Sequence, residues 1–143
     1  MIEIEKVDHL GIRVTDVQRA LKFYSLLGFG DAFKVPDDDV TIIKNSHGVE
    51  INLIHNATGN FEGKNILMDV PEKYPGYTHV ALRVHSVVET LKVLEEQGIP
   101  ITGGPVDFGD GNLSVFVRDP DRNVIELRGR GGEKLDSGQY RPQ

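Results

Sequence analysis

The 143-residue sequence contains no cysteine, which excludes both disulfides and thiolate metal sites. Any metal must therefore be bound by nitrogen or oxygen ligands. Basic residues are also few: 16 Lys and Arg against 22 Asp and Glu give a net charge of −6, which argues against nucleic-acid binding. There is no long apolar run, so we expect no secretory signal or membrane span, and a cytoplasmic location. The content of 38% hydrophobic residues is typical of a globular domain.

The sequence contains an internal repeat with an offset of 70 residues. Residues 9–29 align without a gap on residues 79–99, with seven identities in 21 positions. Chance similarity between two amphipathic segments would match the apolar periodicity, but seldom also the histidine, arginine, lysine and closing glycine that are shared here. The repeat therefore indicates two copies of one structural unit.

Each copy is predicted to have the element order β-α-β-β-β. Alternation over residues 7–14 predicts the first strand, and Asp16 is the expected N-cap of a helix over residues 17–27 that ends at Gly28. In the second copy Ser86 opens a capping box and Gly98 ends the helix. The remaining strands are predicted near residues 31–35, 40–44 and 49–55, and near residues 101–107, 113–118 and 124–128.

These elements predict a chain of two modules. The first βαβββ module covers residues 1–57, and a linker rich in glycine, asparagine, proline and charge covers residues 58–77. The second module covers residues 78–128, and a mobile polar tail covers residues 129–143.

The parity of the first strands places polar residues on the face away from the helix-covered core. Residues two apart share a face of a strand, so His9 and Arg13 point one way in the first copy, as do His79 and Arg83 in the second. Finding this pattern twice favours a functional cavity. The alternative is that each histidine is a solvated surface residue.

The last strand of each copy adds a polar residue on the same predicted face. Glu126 lies between two apolar residues that take the other face, and alignment of the two final strands matches Asn52 to Glu126. Two imidazoles and a carboxylate, His9, His79 and Glu126, predict a site for divalent Fe, Mn, Ni, Co or Zn. Three protein ligands leave coordination positions open for a substrate. Asn52 is a poor fourth ligand, and Glu50 serves only if the register shifts.

These segments resemble the vicinal oxygen chelate superfamily, which includes glyoxalase I, bleomycin-resistance proteins, fosfomycin-resistance enzymes, methylmalonyl-CoA epimerase and extradiol dioxygenases. The resemblance covers residues 7–128. Its motifs are specific for the superfamily but not for one member: DHLGIRV at residues 8–14, FYSLLGF at 23–29, THVALRV at 78–84 and DPDRNVIEL at 119–127.

The resemblance implies an α+β fold in which two tandem βαβββ modules form a curved, cup-like mixed sheet with the helices outside, around a metal. The family's ligand positions fall on His9, Asn52, His79 and Glu126. Glyoxalase I-like enzymes usually have Glu or Gln where this chain has Asn52, whereas the extradiol and fosfomycin branches use only His, His and Glu. A three-ligand site is therefore the better prediction. Chains of this size in the family commonly form homodimers, and the site lies either within one chain or between two.

The implied function is a metal-dependent enzyme that chelates vicinal oxygens of a small-molecule substrate, of lyase, isomerase or dioxygenase type. In a glyoxalase-like reaction Glu126 is the catalytic base. Arg13 and Arg83 bind a substrate carboxylate, with Asn52 also contacting the substrate; the alternative for the arginines is a salt bridge at the rim of the cup. The rival functions are a metal-free module that sequesters a ligand, as in bleomycin resistance, and a regulatory or interaction module.

Overall fold

The structure, a computed structural model, describes residues 1–131, which contain eight strands and two helices. The order β-α-β-β-β occurs twice along this part of the chain. The elements are β1 (Leu10–Arg13), α1 (Val17–Leu26), β2 (Gly30–Lys34), β3 (Val40–Lys44), β4 (Glu50–Ile54), β5 (His79–Ser86), α2 (Val87–Glu96), β6 (Gly103–Asp107), β7 (Asn112–Arg118) and β8 (Val124–Arg130).

The chain divides into two compact units, one comprising Met1–Gly63 and the other beginning at Lys64. Each unit contains a four-stranded mixed sheet, with strand order β1-β4-β3-β2 in the first and β5-β8-β7-β6 in the second. In both sheets the first and last strands of the module pair in parallel and the other neighbours are antiparallel. The predicted α+β fold of two tandem βαβββ modules is confirmed, with the strands hydrogen-bonded into two sheets rather than one continuous sheet.

The two sheets have the same register between their two parallel strands. Gly11 lies opposite Asn52 in the first sheet, and Ala81 lies opposite Glu126 in the second. The register therefore confirms the sequence alignment that matched Asn52 to Glu126.

Helix α1 begins and ends where its sequence predicts. The side chain of Asp16 accepts a hydrogen bond from the backbone N–H of Arg19 at 3.0 Å, a contact that typically contributes about 1 kcal/mol. Gly28 then has φ of 91°, in the left-handed region that ends many helices. The helix buries the side chains of Ala20, Phe23 and Tyr24. Side chains alternate between the two faces of β4. Ile51 and Leu53 are buried in the core, and Glu50 and Asn52 lie on the opposite face.

Helix α2 repeats this arrangement in the second unit. Ser86 accepts a hydrogen bond from the backbone N–H of Glu89 at 3.2 Å, and Gly98 has φ of 68°. The helix packs against β5, β7 and β8 and buries an apolar stripe formed by Val87, Leu91 and Leu94. Burial of each such side chain typically contributes about 2 kcal/mol.

Part of the predicted linker over residues 58–77 belongs with the second unit. Asp69 forms a bidentate ion pair with Arg118 of β7, at 2.9 and 3.0 Å. The side-chain amide of Asn65 donates to the carbonyl of Arg122, in the turn between β7 and β8, at 3.1 Å. These contacts join the segment that starts at Lys64 to the end of the second sheet.

Two of the differences from the predicted element boundaries involve the first and last strands. Strand β1 starts at Leu10 rather than at residue 7, because its parallel ladder with β4 begins at the pair Leu10 and Ile51; His9 consequently precedes the strand. Strand β8 continues to Arg130, two residues into the predicted tail, because it pairs with the start of β7 at Asn112. Residues 132–143 of that tail lie outside the described residues. Within residues 1–131, neither helix has the length and apolar character needed to cross a membrane.

Candidate functional site

In the second unit, the structure brings together two of the predicted site residues, His79 and Glu126. Strand β5 starts at His79 and is parallel to β8, so that the two side chains project from the same face of the sheet. The Nε2 atom of His79 lies 3.2 Å from Oε1 of Glu126. The imidazole is 37% exposed and the carboxylate only 11%. A largely buried carboxylate thus has a solvent-accessible imidazole beside it.

The second oxygen of the Glu126 carboxylate is hydrogen-bonded within the sheet. The hydroxyl of Ser114, which is fully buried on β7, donates to Oε2 at 2.8 Å. This bond leaves Oε1 as the oxygen that faces His79. Burying a carboxylate is costly unless it is hydrogen-bonded and near a positive charge, so a cation near Oε1 is favoured.

The imidazole of His79 is held by two neighbours. The hydroxyl oxygen of Thr78 lies 2.9 Å from Nδ1. The ring of Phe116 contacts the imidazole edge to face, with ring centroids 5.9 Å apart. With Nδ1 occupied by Thr78, Nε2 is the nitrogen available to Glu126 or to a metal ion.

In the first unit, two carboxylates lie close to the imidazole of His9. Its Nδ1 atom lies 2.7 Å from Oδ1 of Asp8 and 3.9 Å from Oε2 of Glu50. The hydrogen bond with His9 holds the pKa of Asp8 below its ordinary value. The Nζ atom of Lys44 lies 3.4 Å from the other oxygen of Glu50. Each of Asp8, His9 and Glu50 offers a ligand atom within 4.8 Å of the others.

Asn52 occupies the position that corresponds to Glu126, but it lacks comparable support. Its Oδ1 atom is buried and accepts no hydrogen bond within residues 1–131. An unsatisfied buried acceptor typically costs about 1–3 kcal/mol. Such an atom is available to a donor group of a ligand.

The two arginines lie on the faces that the strand parity predicts. Arg13 of β1 and Arg83 of β5 are exposed, each on the same side of its strand as the nearby histidine position. The Nε atom of Arg13 donates to the side-chain oxygen of Asn56 at 3.1 Å. The substrate-binding role of both residues remains a prediction.

The residues of the second unit fit a divalent cation by their chemistry. Imidazole nitrogen and carboxylate oxygen are ligands that Fe, Mn, Ni, Co and Zn all accept. Two ligand atoms that are each about 2.1 Å from one ion are roughly 3.0–3.4 Å apart at octahedral or tetrahedral angles. The observed separation of 3.2 Å between Nε2 of His79 and Oε1 of Glu126 falls in that range. The joining of His9 to this pair in one site remains a prediction.

Three residues near His9 and Glu126 were not identified from the sequence as site residues: Asp8, Ser114 and Arg128. Asp8 directly precedes His9, and a carboxylate beside a ligand histidine is a common arrangement, so that signal was present. Arg128 is two residues after Glu126 and shares its face, which is also readable from parity. Ser114 could not be found, because its contact depends on the register between β7 and β8.

The comparisons with known proteins agree with this architecture. The model of the Glyoxalase/Bleomycin resistance protein/Dioxygenase superfamily matches residues 6–127. The chain is 33% identical over 135 residues to the glyoxalase domain-containing protein RDO1 of Mycosarcoma maydis, covering 88% of this chain and 69% of that protein. It is 28% identical over 129 residues to the virulence protein STM3117 of Salmonella typhimurium, covering 87% of this chain and 83% of that protein.

A solved structure shows the same fold. The crystal structure of virulence protein STM3117 from Salmonella typhimurium matches with a TM-score of 0.66 and 26% sequence identity. The match covers 90% of this chain and 99% of that chain. The likeness therefore extends through both βαβββ modules.

Proposed function

Because the chain belongs to the Glyoxalase/Bleomycin resistance protein/Dioxygenase superfamily, we propose that it is a metal-dependent enzyme that binds a small substrate through two adjacent oxygen atoms. The reaction is of lyase, isomerase or dioxygenase type. The observation that supports this most is the buried carboxylate of Glu126, which directs Oε1 at Nε2 of His79 from 3.2 Å.

The proposed metal ligands are His9, His79 and Glu126, holding Fe, Mn, Ni, Co or Zn. In each histidine the side chain of the preceding residue occupies Nδ1, Asp8 in one case and Thr78 in the other. This arrangement fixes the ring orientation and leaves Nε2 as the ligand atom in both. When bound, the ion would supply Lewis-acid stabilisation of a developing oxyanion.

The chain's own residues would bind the substrate and move its proton. In a glyoxalase-like reaction the carboxylate of Glu126 would leave the metal and accept the substrate proton at Oε1, the oxygen not bonded to Ser114. Arg13 and Arg83 would each bind a substrate carboxylate through the planar guanidinium. The buried Oδ1 atom of Asn52, which has no hydrogen-bond partner within residues 1–131, would accept a hydrogen bond from a substrate donor.

A metal-free binding module is the second candidate, and the same pair of residues favours it in one respect. A protonated His79 at 3.2 Å would by itself compensate the charge of Glu126. In that case the polar face would sequester a ligand, as in bleomycin resistance, without a reaction.

Metal analysis separates the two candidates. The full chain is purified without chelator, loaded with Mn, Fe, Co, Ni or Zn, desalted and measured by elemental analysis, alongside His79→Ala. His47→Ala is the matched control, because His47 lies in a turn between β3 and β4. We expect the wild type and His47→Ala to retain metal and His79→Ala to lose most of it. A wild type that holds no more metal than His79→Ala would refute the proposal that the chain is a metalloenzyme.

Activity assays of the metal-loaded chain with methylglyoxal plus glutathione, with catechols and with fosfomycin then distinguish among the candidate reactions.

A homodimer and a cytoplasmic location are also part of the proposal. Light scattering coupled to size-exclusion chromatography measures the assembly directly. If the site is shared between chains, mixing His9→Ala and His79→Ala variants would restore metal binding in mixed dimers, since one of the two sites then keeps both histidines. No restoration is expected if each chain contains its own site.

A further inference from the structure

We infer that Ser114 and Arg128 are positioning residues that hold the carboxylate of Glu126 in the orientation its function requires. This inference rests on the proposed function of Glu126. It concerns two residues of the second sheet, Ser114 on β7 and Arg128 on β8, which lie directly opposite each other in the register.

The three side chains form a directed hydrogen-bond chain. Arg128 donates from one guanidinium nitrogen to the hydroxyl oxygen of Ser114 at 3.1 Å. Ser114 donates its single hydroxyl proton to Oε2 of Glu126 at 2.8 Å. Since the guanidinium only donates and the carboxylate only accepts, the direction of both bonds is fixed. The positive charge of Arg128 polarises the serine hydroxyl and strengthens its bond to the buried carboxylate.

Arg128 is itself held by the loop between β6 and β7. Its second guanidinium nitrogen donates to Asp110 at 2.5 Å, and its guanidinium carbon lies 5.2 Å from the ring centroid of Phe108. These contacts restrict the arginine to one orientation. This series of hydrogen bonds therefore extends from an exposed loop through Arg128 and Ser114 to Glu126.

The first sheet provides an internal comparison, because the two registers match. The residues that correspond to Ser114 and Arg128 are Val40 and Ile54, which lie opposite each other in the same relation to Asn52. Neither apolar side chain can donate a hydrogen bond, and Oδ1 of Asn52 has no partner in the described part of the chain, residues 1–131. The module that has the carboxylate also has its two donors, whereas the module that lacks it has neither. This difference favours a role in supporting the charge of Glu126 rather than in the fold common to both modules.

The test measures metal affinity and the visible spectrum of the cobalt form in Ser114→Ala and Arg128→Met. Cobalt(II) is the probe, because its absorption bands report ligand number and geometry independently of any reaction. Lys92→Met is the matched control: it also replaces a positive charge of the second unit by Met, but Lys92 is exposed on α2 and takes no part in this hydrogen-bond chain. Thermal unfolding of each metal-free variant shows whether it is folded.

We expect Ser114→Ala and Arg128→Met to bind cobalt about 10- to 100-fold more weakly than the wild type, with altered absorption bands, and Lys92→Met to bind within about twofold of it. Arg128→Met provides the answer if Ser114→Ala does not fold, because residue 128 is only partly buried. If the wild type binds cobalt and both variants bind it equally well with unchanged spectra, the positioning role is refuted and the metal site stands. If the wild type binds no cobalt, the proposed function fails and this inference fails with it.

Discussion

The ion pair between Asp69 and Arg118 allows a quantitative prediction about the second unit. Replacing Asp69 by Asn keeps the shape of the side chain but removes its charge and turns one acceptor toward Arg118 into a donor. The pair is mostly shielded from water, with 23% of the Asp69 side chain and 13% of the Arg118 side chain exposed. Asp69 also accepts the backbone N–H of Asn65 at 2.8 Å.

The loss in free energy of unfolding follows from these contacts. Hydrogen bonds to charged groups contribute about 1.5–3 kcal/mol, and the pair retains some water contact, so we expect Asp69→Asn to cost about 2 kcal/mol. For a chain of this size that is a fall in Tm of roughly 6–8 °C. Arg118 keeps its bond to the carbonyl of Arg122 at 2.9 Å, and so its charge is not left wholly without a partner.

The effect must also depend on pH in one direction. The hydrogen bonds from Arg118 hold the pKa of Asp69 below its ordinary value in the folded protein. The unfolded carboxyl has a pKa of about 3.9, so the stabilisation is fully present above that pH and is lost as the pH falls through the lower folded pKa. The difference between wild type and Asp69→Asn is therefore constant near neutral pH and shrinks below about pH 4.

Urea unfolding followed by circular dichroism at several pH values measures both effects. Asp110→Asn is the control, because Asp110 pairs with Arg128 in a more exposed position, 52% for the Asp110 side chain, and should shift the urea midpoint less. The reasoning is refuted if Asp69→Asn unfolds at the same urea concentration as the wild type at pH 7, or if its deficit is undiminished at pH 3.

Three further predictions concern the backbone, a helix cap and the first sheet. Gly104→Ala should lower the free energy of unfolding by more than about 2 kcal/mol, because φ is +78° and the new Cβ would lie 2.4 Å from the carbonyl oxygen of Ser114. Urea unfolding measures this loss. Gly59→Ala is the control and should unfold like the wild type, because the space around Gly59 is open. Ser86→Ala removes the cap of α2 and should cost about 1 kcal/mol, measured by thermal unfolding, while an unchanged Tm would contradict the capping role. Asn52→Leu should leave the stability of the metal-free chain unchanged or raise it by up to about 1 kcal/mol, since it removes an unpaired buried acceptor; calorimetry showing a clear loss would mean that the amide has a partner.

The sequence predicted those features that depend on a fixed local period. The alternation of a strand places His79 and Glu126 on one face whatever the length of the connections, and the observed distance of 3.2 Å agrees with that prediction. Helix ends were equally readable, because Asp16 and Ser86 are side chains whose capping chemistry acts within three residues.

Features that depend on pairing between distant residues were not predictable. The start of β1 after His9 depends on where its ladder with β4 begins, which no residue near His9 specifies. The ion pair of Asp69 with Arg118 joins residues 49 apart and attaches to the second unit a segment whose composition is typical of a linker. The contact between Ser114 and Glu126 requires the register of two antiparallel strands, and a shift by one residue would have turned the serine to the other face.

The unequal surroundings of Asn52 and Glu126 also constrain how such a repeat can evolve. If Asn52 became Glu, the new carboxylate would lie beside Val40 and Ile54, with neither a hydroxyl nor a guanidinium to stabilise it. The acidic residue becomes tolerable only after at least one of those neighbours has acquired a donor. The gain of an acidic residue at position 52 is therefore epistatic, and the order of substitutions matters as much as their number. In the opposite direction, loss of the acid first would leave the buried hydroxyl of Ser114 without its acceptor, and selection for stability would then favour apolar replacements such as those found in the first module.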